Sequence, residues 1–221
     1  MRKIDYKKTL SEFYGPSAKK VAAADVPALN FLMIDGRGKP ESAPFKEAVE
    51  TLFPVAYTLK FMAKKGALGV DYAVMPLEGL WWADDMSDFI AGNKDSWKWT
   101  LMIMQPDFIS GEMVDDAVSQ VKNKKDPPGL AKLRFDRFAE GKAAQILHIG
   151  PFAAEGPTVQ AVHQFIVDSG NRLSGKHHEI YLSDFRKTAP EKLKTVIRQP
   201  FAADVHGDSQ ATPSRASRAL Q

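Results

Sequence analysis

The sequence predicts an α+β protein built from two modules, each with the order strand, helix, strand, strand. Three observations lead to this fold class. Short apolar segments, several of them with alternating polar residues, are typical of strands. Longer segments with apolar residues three and four positions apart are typical of amphipathic helices. The order of these segments in the first half of the 221-residue chain recurs in the second half, which indicates a duplication of pattern, although not obviously of residues.

The chain begins with a segment, residues 1–25, that is polar and rich in lysine. We expect it to form an N-terminal arm, in which a short helix and an extended lead-in pack along the surface. The first strand follows in the apolar stretch 27–34 and ends at Asp35-Gly36-Arg37-Gly38. A turn explains these two glycines better than a phosphate-binding loop does.

The first module, about residues 26–106, continues with an amphipathic helix. Ser42 is a candidate N-cap, and apolar residues recur at helical spacing from Phe45 to Met62. Pro54 lies inside this segment, so we expect the helix to be kinked or split there.

Two strands complete the first module. One starts at Val70 and runs into the sequence PLEGLWW, residues 76–82, where two tryptophans stand side by side. The other is the alternating segment 97–104. A polar helix at about 110–125, acidic in its first turn and basic in its last, then connects the two halves in the way that the helix dipole favours.

The second module, about residues 130–201, repeats the same order. Its helix is predicted at about 154–169, and its strands lie in the apolar stretches 133–135, 143–150, 177–182 and 195–198. Residues 202–221 have no hydrophobic period and are predicted to be a disordered tail.

Composition excludes several classes of function. The 30 basic and 27 acidic residues are spread along the chain, so we expect no direct contact with nucleic acid. No apolar run is long enough to span a bilayer and no secretory signal is visible, so we expect a cytoplasmic protein without membrane contact. The absence of cysteine excludes disulfides, thiolate nucleophiles and cysteine-ligated zinc.

We expect neither a metal ion nor a cofactor. The adjacent His177 and His178 lie on a predicted strand, so they point to opposite faces and cannot bind one ion together. No dinucleotide-binding loop, zinc-protease signature or nucleophilic triad signature is present.

Two groups of residues remain that join a carboxylate to aromatic rings. The first comprises Tyr72, Glu78, Trp81 and Trp82, and the second is the pair Glu179 and Tyr181. The period of two places both members of the pair on one face of their strand, with Ile180 and His178 on the other face. A glutamate among rings is suited to two tasks, since it can balance a cationic aromatic ligand or act as a general acid or base. The residues alone leave both open.

Five co-linear motifs stand out along the chain: PLEGLWW at 76–82, WKWTLMI at 97–103, QPDF at 105–108, QILHIGPF at 145–152 and HHEIYLSD at 177–184. Together they resemble the stand-alone GyrI-like proteins, in particular the branch of cyclopropanoid cyclophane hydrolases. The similarity runs from about residue 5 to 201. One departure is Phe185, where we expect relatives to carry proline.

The resemblance implies that residues 26–201 form a GyrI-like domain of two strand-helix-strand-strand (SHS2) modules, related by a pseudo-twofold axis around a central aromatic cleft. It implies Glu179 as the glutamate of this cleft. In the hydrolase branch the implied substrates are DNA-alkylating spirocyclopropane natural products, which water opens in a detoxification reaction. The residues that we expect to bind the substrate are Trp81, Trp82, Glu78, Tyr72, Trp99 and Phe152.

For that reaction we hypothesise that Glu179 orients or deprotonates the water. Tyr181, helped by Glu78, then supports the developing oxyanion, although the roles could be reversed. The alternative is a non-catalytic protein that sequesters or senses flat aromatic or cationic ligands. No attached DNA-binding domain is visible, which argues against transcriptional sensing. A third account, a protein partner such as gyrase, finds no identifiable contact surface in the sequence.

Overall fold

The computed structural model describes residues 1–40, 42–84 and 93–204, which contain nine strands and five helices. The strands are β1 (Arg2–Ile4), β2 (Ala22–Arg37), β3 (Val70–Tyr72), β4 (Leu77–Trp82), β5 (Lys98–Gln105), β6 (Arg134–Ile149), β7 (Asn171–Leu173), β8 (His177–Tyr181) and β9 (Lys194–Ala203). The helices are α1 (Tyr6–Thr9), α2 (Ser11–Tyr14), α3 (Ala43–Lys65), α4 (Gly111–Lys125) and α5 (Gly156–Asp168), with short 3₁₀ turns at Pro128–Lys132, Phe152–Ala154 and Pro190–Lys192.

Six strands form a closed antiparallel ring in the order β6, β2, β5, β4, β8, β9, and β9 pairs again with β6. The ring is therefore barrel-like, because each of its strands has a neighbour on both sides. The short β7 pairs with β9 outside the ring, and β1 pairs in parallel with β3. The predicted α+β fold class is confirmed.

The connectivity of the ring is the same for both halves of the chain. Exchanging β2, β4 and β5 with β6, β8 and β9 leaves every pairing in place. The duplication of strand, helix, strand, strand modules stays a prediction. A twofold axis between the halves stays a prediction.

The two long β strands extend further than the apolar patterns indicated. β2 was predicted over 27–34 but runs over 16 residues, because its start pairs with β6 and its end pairs with β5. Because β2 has a partner strand along its whole length, its backbone groups stay hydrogen-bonded beyond the apolar stretch, and the strand continues there.

Helices α3 and α5 pack on the outer face of the barrel. α3 covers β2 and β5 with a fully buried stripe that includes Leu52, Val55 and Leu59. Pro54 does not split α3, and the hydroxyl of Thr58 donates to the carbonyl of Pro54 across 2.8 Å. The smaller α5 covers β6 and β9 with Val162 and Ile166.

The connecting helix α4 agrees closely with its prediction at 110–125. Ser110 is its N-cap and accepts a hydrogen bond from the amide of Met113, and its last turn holds three lysines. Among the described helices, none combines the length and the apolar character that crossing a bilayer requires.

The N-terminal segment does not lie wholly along the surface, as was expected for residues 1–25. Tyr14 is 4% exposed, and its hydroxyl donates to Oε1 of Glu78 across 2.6 Å. The carbonyl of Phe13 accepts a hydrogen bond from Arg198 of β9. These two hydrogen bonds hold part of the N-terminal segment against the inside of the barrel. The lysine-rich composition of the segment did not indicate such burial. The end of the predicted tail, residues 205–221, lies outside the described residues.

Candidate active site

A cleft of about 290 Å³ opens on the outer face of the barrel, where the start of α3 approaches the turn before α5. Its walls are mainly aromatic, and the side chains of one lysine and two glutamates reach it. The lining residues are Pro40, Phe45, Trp81, Lys94, Trp97, Phe152, Glu155, Glu179, Tyr181 and Phe185. Four of the eight predicted site residues thus meet in one hollow: Trp81, Phe152, Glu179 and Tyr181.

Glu179 reaches this cleft because alternation along β8 turns it outward together with His177 and Tyr181. Its side chain is 18% exposed. Nε2 of His177 lies 3.2 Å from Oε1, and the hydroxyl of Tyr181 donates to Oε2 across 2.7 Å. Burial pushes the pKa of Glu179 up, but the hydrogen bonds and charge of His177 and the hydrogen bond from Tyr181 outweigh it, so the pKa is lowered. We therefore treat Glu179 as an ionised carboxylate.

Tyr181 is held between two partners. Nε1 of Trp81 donates to its hydroxyl across 3.1 Å, and the hydroxyl in turn donates to Glu179. Burial, and then the charge of Glu179, raise the pKa of Tyr181 well above its ordinary value, so the phenol stays neutral. Its single proton points to Glu179 and is not free for a ligand, which differs from the predicted role in supporting an oxyanion.

The two adjacent tryptophans separate, as neighbours on a strand must. Trp81 lies in the cleft, 2% exposed, with its ring stacked on that of Phe45 at a centroid distance of 5.9 Å. Trp82 lies on the opposite face of β4, where the ammonium group of Lys176 stands 3.4 Å from the centre of its ring. Trp81 is therefore the cleft residue, and Trp82, predicted to bind the substrate, does not line the cleft.

Trp99 supports the cleft from behind without lining it. Its ring covers Gly36, where a Cβ atom would stand 2.1 Å from it, and its Nε1 donates to the carbonyl of Gly38 across 3.1 Å. The edge of the ring meets Phe45, at 5.6 Å between centroids. Trp99 thus fixes the position of an aromatic wall residue.

Tyr72 lies elsewhere, packed between Tyr6 and Phe108. It was predicted as a site residue because it precedes PLEGLWW in sequence. β3, which carries it, pairs with the N-terminal β1 and does not belong to the ring of six strands, so Tyr72 is not brought to the cleft.

Glu78 faces the inside of the barrel, because it lies on the face of β4 opposite to that of the cleft residue Trp81. Besides Tyr14, it contacts His178, whose Nε2 lies 3.0 Å from Oε2 of Glu78. Nδ1 of His178 lies 3.0 Å from both carboxylate oxygens of Glu140, and Arg198 donates to Glu140 across 2.9 Å. We call Tyr14, Glu78, His178, Glu140 and Arg198 the interior network.

The interior network contains groups of opposite charge that are buried. His178 and the side chains of Glu78 and Glu140 are each 1% exposed. Burial lowers the pKa of His178, but Glu140 and Glu78 have a larger, opposite effect, so the pKa is raised to about 9. Burial likewise raises the pKa of Glu140, but His178 and Arg198 bring it down to about 2. His178 and Glu140 therefore hold each other in the charged form.

The sequence analysis missed Glu155, the second carboxyl group of the cleft. It ends the 3₁₀ turn that precedes α5 and is only 6% exposed, and its Oε1 has no hydrogen-bond partner among the described residues. Burial and the charge of Glu179 raise the pKa of Glu155 to about 8, against a smaller opposing effect of Thr195. A glutamate beside glycine and proline usually lies in solvent, so no sequence pattern marks it.

A second, more open groove of about 850 Å³ adjoins the cleft and shares Tyr181 and Phe185 with it. Its walls contain Phe53 and Tyr57 of α3 and several lysines, but neither Glu179 nor Trp81. Although it is larger, the groove lacks the paired carboxyl groups. The cleft is therefore the candidate active site.

The two histidines of β8 serve different sides of the strand, as alternation predicted. His177 contacts Glu179 on the outer face, whereas His178 contacts Glu78 and Glu140 on the inner face. Within the described ranges, no three histidine, aspartate or glutamate side chains are grouped as a metal site would require.

Comparison with known proteins places this architecture in a family. The profile of the GyrI-like small molecule binding domain matches residues 20–202. A search of curated protein sequences returned no significant match. Among solved structures, an uncharacterized conserved protein from Listeria innocua is 41% identical, with a TM-score of 0.81, and the alignment covers 90% of this chain and all of that one.

Two further structures from Listeria innocua are described as hydrolases. Each is 40% identical to this chain; their TM-scores are 0.79 and 0.80, and the alignments cover 90% and 91% of this chain and 100% of theirs. The family profile spans most of the ring of strands and both helices that border the cleft. The chain belongs to the family of GyrI-like small molecule binding domains.

Proposed function

We propose that the protein is a hydrolase that opens the cyclopropane ring of DNA-alkylating cyclopropanoid natural products by adding water. The observation that carries the proposal is the carboxylate of Glu179, oriented by His177 and Tyr181 on the wall of an aromatic cleft. The similarity to two structures described as hydrolases supports the reaction class.

The size and lining of the cleft support a flat aromatic substrate. Ligand sites are mostly apolar hollows of a few hundred Å³ with few polar groups. The volume of about 290 Å³ suits one flat, fused aromatic unit, and most of the lining residues are aromatic. Stacking on rings gives affinity without demanding one particular ligand.

Ring opening requires a nucleophile and an acceptor for charge. Water attacks a methylene carbon of the cyclopropane, and the bond from that carbon to the spiro carbon breaks. Its electron pair enters the dienone, whose carbonyl oxygen becomes a phenol oxygen. Glu179 is the base that takes the proton of the attacking water. Tyr181 is a positioning residue, because its proton holds Glu179 in place.

The same proposal sets the place of action and the domain limits. A protein that destroys an alkylating agent before it reaches DNA works in the cytoplasm. Its GyrI-like domain spans residues 26–201 and takes in the ends of two strands, residues 22–25 of β2 and 202–203 of β9, with the rest of the arm before it and the rest of the tail after it. The two halves are SHS2 modules about a pseudo-twofold axis. The symmetric connectivity of the six strands supports the last point.

Incubation with an aryl-fused spirocyclopropyl dienone tests the proposal. Mass spectrometry should show the gain of one water faster with protein than in buffer. Glu179→Gln should bind the dienone nearly as well but turn it over at least about tenfold more slowly, since one positioned base contributes about 10²–10⁴ in rate. Glu191→Gln, which alters an exposed glutamate outside the cleft, is the matched control.

A non-catalytic binding protein is the second candidate, and the ionised Glu179 among aromatic rings favours it. A flat cation would find both stacking partners and a counter-charge there. Tight binding of the dienone without added water would decide for sequestration and against the hydrolase. Wild-type turnover by Glu179→Gln would remove Glu179 from the mechanism.

A further inference from the structure

We propose that Glu155 is the proton donor of the cleft: its carboxyl group protonates the carbonyl oxygen of the substrate while Glu179 accepts a proton from the attacking water. The inference rests on the proposed ring-opening function and names a second catalytic residue for it. The two glutamates come from different elements, Glu155 from the turn before α5 and Glu179 from β8.

The position of Glu155 suits a donor. It lines the same cleft as Glu179, yet it is 6% exposed and its Oε1 makes no hydrogen bond within the described residues. An unpaired buried polar atom costs free energy and is usually satisfied by water or a ligand. A substrate oxygen that enters the cleft would supply the missing partner.

The protonation states of the pair are complementary. Hydrogen bonds from His177 and Tyr181 keep the pKa of Glu179 low, whereas burial and the charge of Glu179 raise the pKa of Glu155 to about 8. Two carboxyl groups whose surroundings push their pKa values apart can divide acid and base work at neutral pH. Glu155 is the member that still carries its proton.

The other titratable groups that face the cleft do not replace Glu155 as the proton donor. Tyr181 already donates its proton to Glu179, and His177 contacts Glu179. Lys94 is the remaining charged group of the lining, with its ammonium group 5.6 Å from the centre of the Trp97 ring. Its positive charge can attract an electron-rich ligand, whereas Glu155 holds a proton that it can donate at neutral pH.

The proton balance closes over one turnover. The water oxygen bonds to the methylene carbon, the cyclopropane bond breaks, and the carbonyl oxygen takes the proton of Glu155. The water loses its proton to Glu179. Transfer of that proton from Glu179 back to Glu155, through the water of the opened cleft, restores the start. The substrate has gained one water and nothing else is consumed.

The first test is the pH dependence of turnover in wild type and Glu155→Gln. The wild-type rate should fall as pH rises through about 8, where Glu155 loses its proton. Glu155→Gln should turn over about 10²-fold more slowly and lose this alkaline fall, since an amide does not titrate. Glu191→Gln should keep the wild-type rate and profile.

The second test detects the proton of Glu155 from the pH dependence of unfolding and needs no substrate. In the unfolded chain this glutamate has its ordinary pKa of 4.5, and in the folded chain the pKa is about 8. Between these values Glu155 holds a proton in the folded chain that it lacks in the unfolded chain, so this group alone should raise the unfolding constant tenfold per pH unit. Denaturant unfolding of Glu155→Gln should lack that contribution, and the variant should be more stable than wild type at pH 8.

The outcomes separate the two proposals. If wild type adds no water to the dienone, the hydrolase proposal fails and this inference falls with it. If wild type is active but Glu155→Gln keeps its rate and its alkaline fall, only the inference fails. Equal dependence of unfolding on pH in wild type and Glu155→Gln would likewise overturn it, because Glu155 would then hold no extra proton.

Discussion

Gly79 lies directly against Trp81: a Cβ atom at Gly79 would stand 2.7 Å from Nε1 of that indole and 3.0 Å from the hydroxyl of Tyr181. The glycine is paired with Glu179 across β4 and β8. A residue without a side chain is thus required for the chain of hydrogen bonds from Trp81 through Tyr181 to Glu179. It is also the central residue of PLEGLWW.

Gly79→Ala should therefore reduce activity by displacing the two hydrogen-bonded rings. We expect turnover to fall by at least about tenfold, as for loss of a positioned base. Overpacking of a buried site typically costs about 1–3 kcal/mol, so the melting temperature should also fall by several degrees. Gly111→Ala, where a Cβ atom meets nothing within 4 Å, is the control. Full activity of Gly79→Ala would contradict the role given to Tyr181.

The paired tryptophans should differ sharply in ligand binding. Trp81→Leu removes a cleft ring and the donor to Tyr181, and loss of one stacked aromatic pair costs about 0.5–1.5 kcal/mol beyond buried area. Trp82→Leu changes a ring that lies outside the cleft, on the other face of β4, where it contacts Lys176 and packs against the core. Isothermal titration with the product phenol should show weaker binding for Trp81→Leu alone. Equal losses in both variants would place the ligand elsewhere.

The hydroxyl of Tyr14 should contribute to stability through the interior network. Tyr14→Phe leaves Oε1 of Glu78 without its donor in a site that is 1% exposed, which typically costs about 1–3 kcal/mol. Tyr57→Phe is the control, because Tyr57 is 49% exposed. Urea unfolding measures both. A Tyr14→Phe variant as stable as wild type would show that water or another group satisfies Glu78.

The charge of His178 should make stability depend on pH. The folded chain holds this proton with a pKa of about 9 against an ordinary value of 6.5, so its stabilising contribution is complete below about pH 6.5 and is lost as pH rises through about 9. Glu140 acts at the acid end: its contribution is present above about pH 4.5 and is lost as pH falls towards about 2.

Unfolding of wild type and His178→Gln across pH isolates the first effect. The variant should be less stable by about 3–5 kcal/mol near pH 6, as when one partner of a buried ion pair is removed. The difference between the two curves should shrink as pH rises towards about 10. A constant difference would mean that His178 is neutral in the folded chain, with Glu140 paired to Arg198 alone.

Local patterns predicted the three longer helices, most of the long strands and one face of the site, but not the short strands β1 and β7 or the break between β3 and β4. The Ser110 cap and the terminal lysines fixed α4 closely, and the period of two placed Glu179 and Tyr181 together. The same reasoning could not assign the two faces of β4, because both faces are buried and Trp81 and Trp82 are equally apolar. Only the pairing with β8 decides that Trp81 faces the cleft and Glu78 the interior. The buried state of Glu155 likewise arises from packing between elements that are far apart in sequence.

The strand β8 carries two independent tasks on alternate residues: His178 belongs to the interior network and Glu179 to the cleft. Replacement of Glu179 leaves the interior network in place, so the ligand that the cleft recognises can change while the barrel is retained. For protein engineers, Glu179 is accordingly a position at which ligand preference can be varied without touching the charges inside the barrel.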